Sequence, residues 1–92
     1  MRVALSEQFQ ADIRERDDRT RALAMDVLLA LPRAMGRPHA HAGLGVRKLH
    51  PSGIWEARIG LGLRVVFTFA DDTLTMVRLG THEDVKRYLK SL

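Results

Sequence analysis

The side chains best equipped for chemistry in this 92-residue chain are cations and imidazoles of its second half: Arg47, Lys48, His50, Arg58, Arg64, Arg78 and His82. Guanidinium is planar, permanently charged and able to bind a phosphate through two parallel hydrogen bonds. Imidazole titrates near neutrality and can give or take a proton. Arginines sharing a surface with a histidine could therefore hold an anionic centre and move a proton beside it. Plainer readings stand next to this one. Arg64 could pair with Glu56 across a sheet, His82 could sit near a helix cap with no chemistry, and Lys48 could be a surface charge. An arginine is costly to leave on a half-apolar face without a partner, so Arg64 calls for one.

Charge distribution points the same way. The formal net charge is +4. Residues 1–46 hold 7 Lys+Arg against 6 Asp+Glu, and residues 47–92 hold 8 against 5, so the excess lies in the second half. An anionic partner, nucleic acid or an acidic protein, is favoured over a neutral one.

The elements that must position these groups follow from periodicity. Arg2 to Leu5 reads as a short extended start. Ser6 can cap a helix, with Glu7 in its first turn and Phe9 and Ile13 on one face. The polar segment RERDDR breaks that helix. Asp18 can cap a second one, along which Leu23, Val27, Leu28 and Leu31 recur at helical spacing until Pro32 stops the run. Residues 32–45, rich in Pro and Gly, form a connector. From Arg47 onward the period changes to two. In Ile54–Ile59, Trp55, Ala57 and Ile59 point one way and Ile54, Glu56 and Arg58 the other. In Leu63–Phe69, Leu63, Val65, Phe67 and Phe69 share a face opposite Arg64, Val66 and Thr68. In Thr73–Leu79, alternation places Leu74, Met76 and Arg78 opposite Thr75, Val77 and Leu79. Gly60–Gly62 and Asp71–Thr73 are turns. His82 to Leu92 suits a helix with Val85, Tyr88, Leu89 and Leu92 in one stripe.

The expected architecture is α+β, in the order β-α-α-β-β-β-α: two N-terminal helices packed on a small twisted antiparallel sheet, in one domain spanning 1–92. The face opposite the helices carries Glu56, Arg58, Arg64 and Arg78 among Ile54, Val66, Leu74 and Met76. Apolar area among cations calls for a cover, either the C-terminal helix or a bound partner. There is no cysteine, and no apolar run approaches the roughly 18 residues of a membrane span. The start MRVALSEQFQ lacks the apolar core of a secretory signal, so a cytoplasmic location is expected. His39 and His41, two apart without a supporting carboxylate, read as a solvated loop rather than a metal site.

Over residues 47–82, RKLHPSGIWEARIGLGLRVVFTFADDTLTMVRLGTH, the chain resembles the RelE/ParE superfamily of toxin–antitoxin toxins. GIWEARI is similar to the HigB-like branch, and KLH and GTH to the YafQ-like branch. SG-x-W followed by R-x-V-x-F and DD-x-L is similar to the YoeB branch. The order and length of the elements extend the resemblance over nearly the whole chain. It implies a type II toxin, a ribosome-dependent mRNA endoribonuclease acting in the ribosomal A site. A cognate antitoxin would neutralise it, as a homodimer or a toxin–antitoxin heterotetramer, with no metal and no cofactor. The alternatives it leaves open are a ParE-like inhibitor of DNA gyrase and a binding module without catalysis.

The resemblance also implies roles. Arg64 matches the arginine that the ribonuclease branches keep, and would stabilise the phosphate with Arg58 and Lys48 as further ligands. His82 matches the histidine after the last strand and would be the general acid, with His50 as the alternative acid–base group. Where YoeB-type toxins carry a glutamate base this chain has Arg47-Lys48, which leans the expectation toward a lysine, Lys48. Arg47, His50, Arg78, Lys86 and Arg87 would contact RNA. The YafQ-like slot for a stacking aromatic holds Lys86, and Tyr88 belongs to the helix stripe.

Overall fold

The computed structural model describes residues 1–35 and 43–92. The elements run β1 (Arg2–Leu5), α1 (Glu7–Arg14), α2 (Asp18–Ala34), β2 (Arg47–His50), β3 (Ile54–Ile59), β4 (Leu63–Ala70), β5 (Thr73–Thr81) and α3 (His82–Lys90). They form the expected α+β arrangement, around a five-stranded sheet of order β1-β5-β4-β3-β2.

Local chemistry accounts for the helix boundaries. Ser6 caps α1, its hydroxyl accepting the Phe9 N–H at 3.0 Å and donating to the Val77 carbonyl at 2.9 Å. One residue thus ends β1, starts α1 and ties both to β5. Asp17, not Asp18, caps α2, accepting the Thr20 N–H at 2.8 Å. Pro32 does not stop α2, which runs on to Ala34. A proline in the final turn forfeits one intrahelical bond and leaves the remaining ladder intact.

Three features depart from the expected sheet. Residues Arg47–His50 form a fourth antiparallel strand, β2, rather than a lead-in to the meander. β1 runs parallel to β5, so the sheet is mixed. Most consequential is a bulge in β5: Val66 pairs with Arg78 but Phe67 with Met76, leaving Val77 as the extra residue. One inserted residue flips the side chains beyond it to the other face. Leu74 and Met76 therefore join the core under α1 and α2, together with Leu79, and the expected Leu74/Met76 patch beside the cations does not exist.

That core holds Phe9, Leu31, Val65, Phe67, Leu74 and Met76 with almost no exposure. The opposite face has its own smaller cluster, in which Val85, Tyr88 and Leu89 of α3 pack on Ile54, Val66 and Leu49. So α3 supplies the cover that the mixed face required, over its apolar half only. Leu92, expected in the same stripe, lies beyond the helix and is exposed. His39 and His41 lie outside the described residues.

Candidate functional site

The half of that face left open by α3 carries the charge. Arg58 on β3 and Arg64 on β4 are direct cross-strand partners. Arg47 on β2 pairs with Glu56 on β3, which lies two residues before Arg58 and so on the same face. Across β5 the partner of Arg64 is Gly80, which has no side chain to fill the space, and His82 follows two residues later as the first residue of α3. Gly45, Val46, Arg47, Glu56, Arg58, Arg64 and His82 together line a cleft of about 400 Å³.

Two glycines set the walls of this cleft. Gly45 has φ +60°, and a Cβ there would stand 2.5 Å from Arg58 Nε. The left-handed backbone and the missing side chain let the Arg58 guanidinium lie against the loop, while the Arg58 N–H donates to the Leu44 carbonyl at 2.8 Å. At Gly80, a Cβ would stand 2.7 Å from Asp84 Cβ, so glycine lets the first turn of α3 close on β5. Thr81 and Asp84 then form a reciprocal capping box, with the Thr81 N–H donating to Asp84 Oδ2 at 2.8 Å and the Asp84 N–H to Thr81 Oγ1 at 3.2 Å. The hydrogen bonds that the Asp84 carboxylate accepts from Thr81, the backbone N–H first, hold it below its ordinary range. His82 is thereby presented at the rim on a fixed backbone.

Electrostatically the cleft is three guanidiniums around one buried carboxylate. Glu56 Oε2 lies 3.6 Å from Arg47 Nε and 3.8 Å from Arg64 Nε, and Glu56 Oε1 is buried with no hydrogen-bond partner among the described residues. Arg64 is mostly buried and donates to the Leu63 carbonyl at 3.2 Å. Glu56, read from the sequence only as a partner for Arg64, is thus a full member of the site. Its place on the Arg58 face was visible in the strand alternation.

The structure gathers Arg47, Arg58, Arg64 and His82 and leaves the other expected residues elsewhere. Lys48, expected around the phosphate with Arg58 and Arg64, pairs with Trp55 on the opposite face, its Nζ 5.8 Å from the indole centroid. Arg47, its neighbour, points into the cleft instead. His50 sits in a separate exposed hollow with Lys48, Leu49 and Pro51, where Nδ1 accepts the Ser52 N–H at 3.1 Å. Arg78 turns away to Asp12 on α1, at 3.0 Å. Lys86 pairs with Glu83 and Arg87 with Asp84 along α3. Asp12 is the residue that sequence reasoning missed. Buried, it accepts the Leu79 N–H at 2.8 Å as well as Arg78, fastening α1 to β5 just before the Gly80 step. A carboxylate inside the apolar Phe9–Ile13 stripe was the signal.

The fold recurs among solved toxin structures. No family model and no curated protein matches the chain. Among solved structures, a copper-bound mutant toxin from Helicobacter pylori is 23% identical, with TM-score 0.70 over 92% of this chain and 98% of its own. RelE from the Pyrococcus horikoshii RelE–RelB complex is 18% identical, with TM-score 0.69 over 87% and 92%. YoeB from a Staphylococcus aureus dimer is 20% identical, with TM-score 0.69 over 89% and 97%. The chain has the RelE-like toxin fold.

Proposed function

We propose that this protein is the toxin of a type II toxin–antitoxin pair, cutting mRNA on the ribosome in the cytoplasm. The observation that carries this reading is the meeting of Arg47, Arg58, Arg64 and His82 in one cleft. RNA cleavage by 2′-hydroxyl attack builds negative charge on the phosphoryl oxygens and on the departing 5′-oxygen. Three guanidiniums answer the first, as fixed cations aimed where charge develops. The His82 imidazolium answers the second by giving up a proton. The antitoxin–toxin complex of RelB and RelE from Methanococcus jannaschii has the same fold, which supports an antitoxin partner here; the cations of the cleft suit a short acidic segment laid across it.

Inducible expression followed by primer extension on translated messages tests the reading. Wild type should produce cuts that fall by about 100-fold or more in Arg64→Ala and in His82→Gln. Growth arrest with DNA breaks and no mRNA cuts would replace it with gyrase inhibition. Absence of toxicity and of cuts would leave a binding module.

A further inference from the structure

The cleft has cations for a phosphate and an acid for a leaving group, and Lys48, the residue expected as base, is on the wrong face of the sheet. From the surroundings of Glu56 we infer that its carboxylate takes the proton of the ribose 2′-hydroxyl, and so makes the site selective for RNA. This rests on the proposed ribonuclease function.

Glu56 shares a sheet face with Arg47, Arg58 and Arg64 and lines the same cleft as His82. Its ion-pair distances of 3.6 and 3.8 Å are too long for hydrogen bonds, so the arginines hold Oε2 by charge without saturating it. Oε1 has no donor at all among the described residues. Neither oxygen has a hydrogen-bond donor among the described residues, so the carboxylate is open to a donor that a ligand brings into the cleft. A buried acceptor in this condition needs an explanation. A phosphodiester cannot satisfy it, because its oxygens only accept. A deoxyribose has nothing to donate at the 2′ position. A ribose 2′-hydroxyl donates, and it is the group that distinguishes RNA from DNA.

The chemistry balances. The 2′-oxygen gives its proton to Glu56 and forms a bond to phosphorus, while the P–O5′ bond breaks and the 5′-oxygen takes a proton from His82. The products are a 2′,3′-cyclic phosphate and a 5′-hydroxyl end, with no water or co-reactant consumed. A plainer role for Glu56 is as a counter-ion spacing Arg47 from Arg64, and the experiment must separate the two.

Purified wild type, Glu56→Gln, Glu56→Asp and Arg64→Ala are compared on ribosomes programmed with a short mRNA, all-ribose or carrying one 2′-deoxynucleotide at the cut site. Single-turnover rates are taken across pH, and affinities are measured with the uncleavable deoxy message. Thermal melts confirm folding. If Glu56 is the base, Glu56→Gln cuts at least about 100-fold more slowly and binds the deoxy message within about threefold of wild type. Its pH profile loses the acidic limb, which Glu56→Asp retains at an intermediate rate. The inference is overturned if Glu56→Gln cuts at the wild-type rate, or if its loss of cutting is matched by an equal loss of binding with the pH profile unchanged in shape. Cutting by wild type and Glu56→Gln but not by Arg64→Ala would sink the base assignment alone. A folded wild type that cuts nothing would sink the ribonuclease reading and this inference with it.

Discussion

Arg58 and Arg64 face each other directly across β3 and β4, and like charges so placed oppose folding by roughly 0.2–1 kcal/mol. Glu56 offsets this only in part, since its near contacts are to Arg47 and Arg64. On the proposed function, this pair is there to hold the phosphate of the message. Arg58→Ala should therefore leave the melting temperature unchanged or slightly raised while lowering cleavage of ribosome-bound message by about 10-fold or more, measured on one purified sample. Asp12 predicts the reverse pattern. It satisfies a buried N–H of Leu79 and the Arg78 guanidinium, so Asp12→Ala should cost about 2–3 kcal/mol in urea unfolding, with Asp12→Asn recovering part of it. At this scale the residue types were legible in the sequence and their sides less so. Arg47 and Lys48 are adjacent on a strand and must point to opposite faces, and only the pairing of Arg47 with Glu56 decides which one enters the cleft.

The elements were legible where their periodicity was long. The core-facing set of β3 and β4 follows simple alternation, and α1 and α2 follow their helical periods. Alternation failed in β5, because a single inserted residue at Val77 reverses the side on which Leu74 and Met76 lie, and no residue type marks it. It was silent on β2, a four-residue, largely exposed strand. The element on which the site depends most is α3, whose first residue is His82. Its capping carboxyl, Asp84, and that of α2, Asp17, both lie below the ordinary value of 3.8, each held down chiefly by backbone N–H hydrogen bonds. A carboxyl whose folded-state pKa is depressed contributes stability that is present above its unfolded value and is lost as the pH falls through the folded one. Both helix starts should therefore loosen below about pH 4. Asp17→Asn and Asp84→Asn should lower stability at pH 7 and flatten its fall below about pH 4, as read by urea titration at each pH.

At the scale of the molecule, the sheet separates two jobs. One face is buried under α1 and α2 and fixes the strands. The other is divided between the apolar patch under α3 and the cationic cleft, so a ligand in the cleft need not disturb the main core. The formal charge of +4 is modest, and several cations outside the cleft are paired: Arg21 with Asp18, Arg78 with Asp12, Lys86 with Glu83 and Arg87 with Asp84. Long-range attraction of the whole protein to RNA should therefore be weak, and most phosphate contact should fall to Arg47, Arg58 and Arg64. Each phosphate neutralised on a single strand contributes about −0.7 to the slope of log affinity against log salt, so three contacts predict a slope near −2 for a single-stranded RNA. A titration of the purified protein from low to high salt should return that value. Arg58→Ala should reduce its magnitude by about 0.7, whereas Lys86→Ala, on a paired side chain outside the cleft, should leave it unchanged. A slope much steeper than −2, insensitive to Arg58, would mean that RNA is held by a diffuse basic surface and not by the cleft.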